Sequence, residues 1–341
     1  INFLVKPAAI RKFKMLPSRV SAVCQGTLLT RNWVNIPSND KKPAAFARTV
    51  VRQAKKEGLK TVVLGKKELK QKKFGAILAV AEGSSSAPGM VIVDYHPRGA
   101  KSTAALVGKG VTFDSGGLNL KTTKTINLMK VDMAGAAAVA ATVLAAARLK
   151  LKQRVIGILP LVENMISGKA TRPGDIIRSY SGKTIEIGNT DAEGRLILID
   201  ALSYAVQRYK PGILIDIATL TGACVMALGE GYAGVFSNDD ELAAAITQSG
   251  EKTSERCWRM PLPDDYKDLI KSEVADINNM PGSRWGGAIT AALFLSEFVG
   301  ETRWAHIDIA GPAYRKKGTD YCAPGGTGFG VRLLCDFLSK L

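Results

Sequence analysis

Short, continuous apolar runs alternate along this chain with longer segments of helical periodicity. The helical segments begin at Pro43, Asp132 and Ala192, and the apolar runs, rich in β-branched residues, begin at Thr61, Ala76, Val91, Ala104, Val155, Ile213 and Ala305. A strand that is apolar on both faces must be covered on both, and parallel neighbours need a crossover that is usually a helix. The alternation therefore predicts an α/β protein with a mixed, largely parallel central sheet flanked by helices on both faces.

The domain organisation is predicted from the continuity of this alternating pattern. No fixed-period repeat, low-complexity tract or Pro/Ser-rich linker divides residues 20–341. Residues 1–16 carry no strand or helix signal that could close a core of their own, and no small-residue cleavage pattern follows their apolar residues. We therefore predict a single domain over residues 17–341, preceded at 1–16 by a linker or the tail of an absent N-terminal domain.

The chain is strongly basic. It carries 47 Lys and Arg against 30 Asp and Glu, which gives a formal net charge of +17. Part of the excess lies in the segment GKKELKQKKFG at residues 65–75, where no aromatic residue interleaves with the lysines as a single-strand nucleic-acid binder requires. We favour a solvated basic surface, and a nucleic-acid surface stays open as the alternative.

Cysteine usage and apolar run length bear on the compartment. The five cysteines are odd in number, widely spaced and without a C-x-x-C pair, which predicts free thiols in a reducing compartment, the cytoplasm. The Ala-rich stretch at residues 134–147 falls short of the roughly 20 residues that span a bilayer. We therefore expect no membrane association.

Several kinds of catalytic site are disfavoured by the residues available. His96 and His306 are isolated, no H-E-x-x-H pattern exists, and a histidine-based zinc site is therefore improbable. Ser115 lies in no G-x-S-x-G elbow, and the glycine-rich stretches lack the spacing of a phosphate-binding loop. We predict that His306, within an apolar strand, is a buried core histidine with its polar atoms satisfied.

Carboxylates stand where strands are predicted to end. Asp114 follows the run at Ala104, Asp132 precedes the Ala-rich helix, and Asp191 with Glu193 follows the segment IEIGN. Loops at the carboxyl ends of strands build the sites of open α/β sheets, so these acids could converge. Unpaired, they would repel one another and be costly to bury, whereas two divalent cations between them would balance the charge.

Each of these residues also has a simpler interpretation. Asp132 could be a helix N-cap, and Asp191 and Glu193 could be first-turn acids favoured by the helix dipole. Asp114 could be a turn residue before two glycines, and Arg195 could be a surface partner for either neighbouring acid. Taken singly, none of these residues establishes a site.

Taken together, the segments resemble the leucyl aminopeptidase family, the M17 metallopeptidases. VGKGVTFDSGG, LNLK, LMKVDMAGAA and NTDAEGRL occur in the order and at the separations typical of that family. The resemblance continues through DIATLTGA and WAHIDIAGPAY and covers roughly residues 20–335. A match of several collinear segments is far more specific than a single motif.

The resemblance implies a catalytic domain that holds two divalent metal ions, zinc or manganese, with magnesium or cobalt as alternatives. In the family Asp114 and Glu193 would bridge both metals, Asp191 would complete the more exchangeable site, and Lys109 with Asp132 would complete the tighter one. The four carboxylates contribute −4 and two divalent ions +4, so the cluster balances if Lys109 is neutral.

The resemblance also implies an activity, the hydrolysis of the N-terminal residue from peptides, with Leu and Met preferred. A hydroxide bridging the metals would be the nucleophile, Lys121 would stabilise the oxyanion, and a bicarbonate held on Arg195 would be the general base. Met129 would line the pocket for the first side chain, and the alternative is a core residue at a helix entry. A homo-hexamer with interior active sites is expected.

Two other functions stay open at this stage. A basic nucleic-acid-binding protein on the same scaffold is suggested by the +17 charge. A metal-dependent phosphoesterase is possible in principle because two-metal carboxylate sites also serve phosphoryl chemistry, but a lysine ligand and the long collinear match disfavour it.

The sequence departs from the family pattern at two places near the predicted site. Ala134 stands where the family usually has glycine, and TTKTIN follows Lys121 where the family often has a proline and small residues. Neither departure removes a predicted ligand.

Overall fold

A computed structural model describes residues 15–283 and 285–341 of the chain. The strands are β1 (Lys60–Gly65), β2 (Gly89–Tyr95), β3 (Thr103–Gly108), β4 (Gly110–Asp114), β5 (Arg154–Asn164), β6 (Ile176–Arg178), β7 (Thr184–Glu186), β8 (Ile213–Ala218), β9 (Ala233–Ser237), β10 (Cys257–Arg259), β11 (Ile277–Asn278), β12 (Trp304–Asp308), β13 (Tyr314–Arg315) and β14 (Gly325–Gly326). The helices are α1 (Leu16–Asn35), α2 (Pro43–Lys56), α3 (Lys66–Gln71), α4 (Gly75–Ala81), α5 (Thr123–Ile126), α6 (Ala134–Arg148), α7 (Glu193–Tyr209), α8 (Gly222–Leu228), α9 (Asp240–Thr253), α10 (Gly287–Ser296) and α11 (Val331–Leu338), with 3₁₀ turns at Met129–Val131 and Asp264–Ile270.

The central sheet has the strand order β1-β2-β5-β3-β8-β12-β9-β10, and β4 pairs with β5 beside this path. Its middle strands β5, β3, β8 and β12 are parallel neighbours. Antiparallel pairs occur toward the edges, between β1 and β2, β2 and β5, and β12 and β9. The predicted mixed, largely parallel sheet is thus confirmed.

Helices cover both faces of this sheet. One face packs against α1, α2, α6, α9 and α11, and the other against α4, α7 and α10. The strand side chains divide accordingly. Leu106 and Leu159 belong to the first core, whereas Val107 and Ile158 belong to the second. Each buried strand therefore supplies apolar side chains to both cores, as its uninterrupted apolar sequence predicts.

The Ala-rich helix α6 lies inside the first core. Every residue from Ala134 to Ala146 is buried, and the helix packs against α1 and the sheet. The stretch Met129–Arg148 has the length and mean hydropathy (1.5) of a membrane span, but 89% of that window is buried within the protein. Its apolar composition is therefore explained by its position in the core.

The basic segment forms α3 and the turn after it. Its lysines are exposed, while Leu69 and Phe74 are fully buried beneath them. This arrangement agrees with a solvated basic surface anchored by two apolar side chains. Helix α1 starts at Leu16, one residue before the predicted domain boundary, and residues 1–14 of the predicted tail lie outside the described residues.

One predicted strand is wrong. The apolar run from Ala76 forms the helix α4 instead of a strand, because a distant carboxylate satisfies the start of the helix. Asp200 Oδ2 accepts hydrogen bonds of 3.0 Å from the backbone N–H groups of Ala76 and Ile77, and its Oδ1 accepts one of 2.7 Å from Tyr180 N–H. Asp200 lies in α7, so the cap that favours a helix here comes from a remote part of the chain.

We expect Asp200→Ala to destabilise the fold, although Asp200 is not one of the predicted site residues. Removing the carboxylate leaves three backbone N–H groups, two of them buried, without their acceptor, which costs about 1–3 kcal/mol in the free energy of unfolding. Denaturant unfolding would measure this difference. Asp265→Ala, at an exposed position, is the control and should change the stability by less than about 0.5 kcal/mol. Equal stability of the two variants would refute the capping role.

Candidate metal centre

The candidate site lies at the edge of the sheet where the parallel strands β5, β3, β8 and β12 end. Asn164 ends β5, Lys109 follows β3, Thr219 follows β8 and Asp308 ends β12. Because parallel strands end at the same edge, residues from four remote segments come together there.

Lys109 stands between β3 and β4, at a point where the sequence predicts one continuous strand. Its backbone N–H donates to Ile217 O of the neighbouring strand β8 at 3.1 Å, which extends the β3–β8 pairing by one residue. The side chain is buried, with 3% exposure, and its Nζ lies 2.7 Å from Asp132 Oδ1 and 2.8 Å from Glu193 Oε1. The interruption of the strand therefore directs a lysine into an acidic cluster.

Three carboxylates, Glu193 and two others, converge beside this lysine. Oxygen atoms of Asp114, Asp191 and Glu193 all lie within 4.8 Å of one another. Asp114 and Glu193 are buried, with exposures of 1% and 2%, whereas a third of the Asp191 side chain is exposed. The cluster is therefore deep at one end and open to solvent at the other.

Lys121 lies at the open end of the cluster. It comes from the loop between β4 and α5, and its Nζ lies 2.8 Å from Asp114 Oδ2 and 2.6 Å from Asp191 Oδ1. Its side chain is 15% exposed, compared with 3% for Lys109. Arg195 follows Glu193 by two residues on α7. The structure thus brings all seven predicted ligands and catalytic residues into one region. They are Lys109, Asp114, Lys121, Asp132, Asp191, Glu193 and Arg195.

Burial and crowding dominate the electrostatics. Burial raises the pKa of Asp114, Asp132 and Asp191, and repulsion from neighbouring carboxylates adds to the shift at each. Burial alone would lower the pKa of Lys109, but the carboxylates around it outweigh burial and raise its pKa above the ordinary value. Lys109 is therefore held as an ammonium group, and its binding to a metal would require loss of that proton.

The donor set fits divalent cations. Asp132 Oδ2 is buried and accepts no hydrogen bond from any residue that the structure describes. Buried carboxylate oxygens are normally satisfied, so this atom fits a cation as its missing partner. Carboxylate oxygens with one amine suit the harder first-row divalent metals.

Two residues that the sequence analysis did not select orient these ligands. Thr219 Oγ1 donates to Asp132 Oδ1 at 2.8 Å, and Thr219 O accepts from Lys109 Nζ at 2.9 Å. Asn164 Nδ2 donates to Asp114 Oδ1 at 2.8 Å. Their position at the ends of β8 and β5 was the available signal, because polar residues at that edge of the sheet face the site.

The structure contradicts the simpler interpretation of Asp132 and supports that of Asp114. Asp132 is not an N-cap, since α6 begins at Ala134 and its capping position is Met133. Asp114 does serve a turn, because its Oδ1 accepts from Gly116 N–H at 2.8 Å, while its Oδ2 contacts Lys121. Both roles of Asp114 thus coexist.

Arg195 is not a surface residue. It is 5% exposed, and its Nη1 donates to Asn279 O at 2.8 Å. Its Nε has no hydrogen-bond acceptor among the described residues. Burial lowers the pKa of Arg195 to about 10, against the opposing effect of Glu193 and Asp308, so the guanidinium keeps its charge at neutral pH. A buried guanidinium edge with a free donor fits a small planar anion.

Close packing explains two small residues around the centre. A Cβ atom at Gly194 would lie 2.7 Å from Lys109 Nζ, so any larger residue would displace the lysine. At Gly135 a Cβ atom would lie 2.0 Å from Ile217 O. Ala134, which departs from the family pattern, is buried at 3% exposure and its methyl group is accommodated.

Met129 begins the 3₁₀ turn that leads to Asp132. It is partly buried, and its carbonyl oxygen accepts from Asp132 N–H at 3.3 Å. This contact joins the Met129 backbone to a residue of the acidic cluster. Its role in a substrate pocket stays a prediction.

His306 has the predicted core role. It is 1% exposed, and its Nδ1 lies 2.6 Å from Asp216 Oδ1, whose second oxygen accepts from Trp304 Nε1 at 2.7 Å. Burial would lower the pKa of His306, but Asp216 outweighs burial and raises it. The histidine is thus satisfied inside the sheet.

Comparison with known proteins gives a consistent result. The model of the catalytic domain of the cytosol aminopeptidase family matches residues 28–335. A probable cytosol aminopeptidase of Chlorobium phaeobacteroides is 54% identical over 319 residues, which cover 93% of this chain and 63% of that protein. One of Geobacter sp. strain M21 is 48% identical over 328 residues, covering 96% of this chain and 66% of the relative. The chain thus spans just under two thirds of the length of these curated relatives.

Solved structures with the same fold include the bottromycin maturation enzyme BotP in complex with Mn. It aligns with a TM-score of 0.91 and 41% sequence identity, over 95% of this chain and 71% of the BotP chain. A second BotP structure aligns with a TM-score of 0.89 and 42% identity, over 95% of this chain and 70% of that chain.

Proposed function

Because the chain belongs to the cytosol aminopeptidase family, we propose that it is the catalytic part of an enzyme that hydrolyses the N-terminal residue from peptides. The observation that carries this proposal is the buried carboxylate cluster around Lys109, which includes the unsatisfied Asp132 Oδ2. The match of the family's catalytic-domain model to residues 28–335 supports it.

Two divalent metal ions fit the centre. We assign their ligands to the buried amine and the four carboxylates, Lys109, Asp114, Asp132, Asp191 and Glu193. When bound, the metals would polarise the scissile carbonyl and lower the pKa of the attacking water. Manganese is supported by the BotP structure in complex with Mn, and zinc, magnesium and cobalt are the alternatives.

Lys121 would act on the substrate. It is the more exposed of the two lysines, at 15% against 3%, and it lies at the open end of the cluster. Its ammonium group can donate to the scissile carbonyl oxygen as negative charge develops there. Lys109, buried and engaged with Asp132 and Glu193, is poorly placed for that role.

Arg195 would hold a bicarbonate ion, which supplies the general base when bound. Its Nη1 donates to Asn279 O, while the buried Nε–H has no acceptor within the described ranges. Fixing one side of the guanidinium orients the other, so that an anion would be held in one geometry. The two charged groups Lys121 and Arg195 thus have different tasks.

Substrate preference, assembly and location are further proposals. We propose Leu and Met as preferred N-terminal residues, with Met129 in the pocket, since its thioether adapts to aliphatic groups of varied shape. We also propose a homo-hexamer, which light scattering measures, and a cytosolic location, which the names of the relatives support. Nucleic-acid binding, suggested by the +17 charge, stays an untested alternative, and a steep loss of binding with salt would reveal it.

Activity should require metal. Chelation should abolish the hydrolysis of a leucine amide, and Mn or Zn should restore it. Asp132→Asn should bind less metal in elemental analysis, because it loses a buried carboxylate beside Lys109. Asp265→Asn, at an exposed position, is the control and should retain the parent's metal content. Full activity of a metal-free preparation would refute the assignment.

Lys121 and Arg195 should contribute to the transition state more than to folding. Lys121→Ala and Arg195→Ala should each lower kcat by on the order of 10²-fold, as loss of an oxyanion donor or a base usually does. Their melting temperatures should stay near that of the parent, and so should the kcat of the control Arg98→Ala, at an exposed position. An unfolded variant, or one with unchanged kcat, would assign that residue a structural role instead.

Met129 should influence which N-terminal residue is cleaved. Met129→Asp should depress the cleavage of Leu amide and raise that of Lys or Arg amide, because it supplies the apolar pocket with a negative charge. The comparison is the ratio of kcat/KM between substrates. Met15→Asp, at a position 66% exposed at the start of α1, should leave this ratio unchanged. The same ranking in both variants would exclude Met129 from the pocket.

A further inference from the structure

A small polar cavity lies between the β13–β14 hairpin, the segment before β10 and the start of α11. Its volume is about 60 Å³, and it is lined by three arginines and three hydroxyl side chains, Arg256, Arg315, Arg332, Ser254, Tyr321 and Thr327. None of these residues belongs to the candidate metal centre, and the proposed function makes no use of them.

One arginine of this cavity has its charge compensated. Arg332 Nε donates to Glu255 Oε1 at 3.1 Å, and Glu255 is fully buried. The other oxygen of Glu255 accepts from the N–H groups of Gly330 and Leu333 at the start of α11, at 3.0 and 2.8 Å. The carboxylate is therefore fully engaged, and it fixes Arg332 in place.

The other two arginines of the cavity have no carboxylate partner in the described part of the chain. The guanidinium carbon of Arg256 lies 4.3 Å from the ring centre of Tyr232, and its Nη1 donates to the Tyr232 hydroxyl at 3.3 Å. Arg315 forms no ion pair with any residue in the described part of the chain. Glu230 and Asp320, also close in sequence to residues of the cavity, form no ion pair within the described ranges, and Glu255, the neighbour of Arg256 in the chain, pairs with Arg332. Arg256, which is exposed, and Arg315, which is half-buried, thus line one small cavity without a carboxylate partner among the described residues.

The surroundings hold these groups in a defined geometry. Tyr321 lies 5.8 Å from both Arg332 and Arg31, measured from each guanidinium carbon to the ring centre. Arg31 Nε donates to the carbonyl oxygen of Thr327 at 2.8 Å, which ties the cavity wall to α1. The backbone of Arg315 is set by its pairing with Gly325 in the β13–β14 hairpin. The Arg332 guanidinium is therefore fixed by packing and ion pairing before any ligand arrives, and the hairpin places Arg315 beside it.

We propose that this cavity binds a phosphoryl group as its dianion. A phosphoryl group at neutral pH carries a charge of about −1.5 to −2, which matches the two uncompensated guanidinium groups. Guanidinium forks and hydroxyl groups are the donors that phosphate oxygens favour. A cavity needs about 10–15 Å³ on this measure to hold one water molecule, so a volume of about 60 Å³ leaves room for a small oxyanion.

The charge balance also distinguishes a phosphoryl group from a carboxylate. A single carboxylate would balance only one of the two charges of Arg256 and Arg315, whereas a phosphoryl dianion balances both. The phosphoryl group could come from inorganic phosphate or from a small phosphate monoester, since both present the same oxygens to the cavity.

Calorimetric titration of the metal-loaded protein tests this assignment. Inorganic phosphate and glycerol 2-phosphate are titrated at constant ionic strength, with acetate in parallel. We expect saturable binding of phosphate, and we expect Arg315→Gln and Arg256→Gln each to weaken it by about tenfold or more. Arg52→Gln, at an exposed arginine of α2, should not change it. Tighter binding of glycerol 2-phosphate would identify a monoester as the ligand, and tighter inorganic phosphate would identify the free ion.

Three results would overturn the proposal. Phosphate affinity that is equal in Arg315→Gln, Arg256→Gln and the parent would place the binding elsewhere, for example at the metals. If acetate binds as tightly as phosphate, the ligand of the cavity is a carboxylate and not a phosphoryl group. No saturable binding, in a protein whose melting temperature is normal, would show that the cavity takes no oxyanion. Aminopeptidase activity is measured separately, so the loss of one function is distinguishable from loss of the other.

Discussion

Parallel pairing of β5, β3, β8 and β12 is the constraint on which the candidate centre depends. It places Asn164, Lys109, Thr219 and Asp308 at one edge of the sheet, although they are separated by up to two hundred residues in sequence. The helices that join these strands cover both faces, so the same topology that buries the two cores leaves this edge free for chemistry.

Burying four carboxylates is unfavourable unless cations lie among them. The chain supplies two of its own, since Lys109 contacts Asp132 and Glu193 at the closed end while Lys121 joins Asp114 and Asp191 at the open end. Divalent ions would compete for the same oxygens. Proton release from Lys109 would accompany metal binding, which links the occupancy of the centre to pH.

The local sequence predicted helices and strands well where their apolar pattern extends over many residues. It predicted them less well where a contact with a remote segment determines the secondary structure. The helices from Pro43, Ala134 and Glu193 and the buried strands were predictable because their apolar patterns are uninterrupted. The run from Ala76 became a helix because Asp200, more than a hundred residues away, accepts hydrogen bonds from its first N–H groups. A short apolar run carries no period that distinguishes the two structures.

The sequence by itself determined the fold class, the family resemblance and which acidic residues form the candidate centre. Strand ends, motif spacing and residue types are properties of short stretches of sequence. Only the tertiary structure decided which polar atoms are satisfied. It left Asp132 Oδ2 and Arg195 Nε without hydrogen-bond partners among the described residues, buried Arg195, and gathered Arg256, Arg315 and Arg332 around one cavity. Burial and hydrogen bonding depend on contacts between remote segments, and a linear pattern does not encode such contacts.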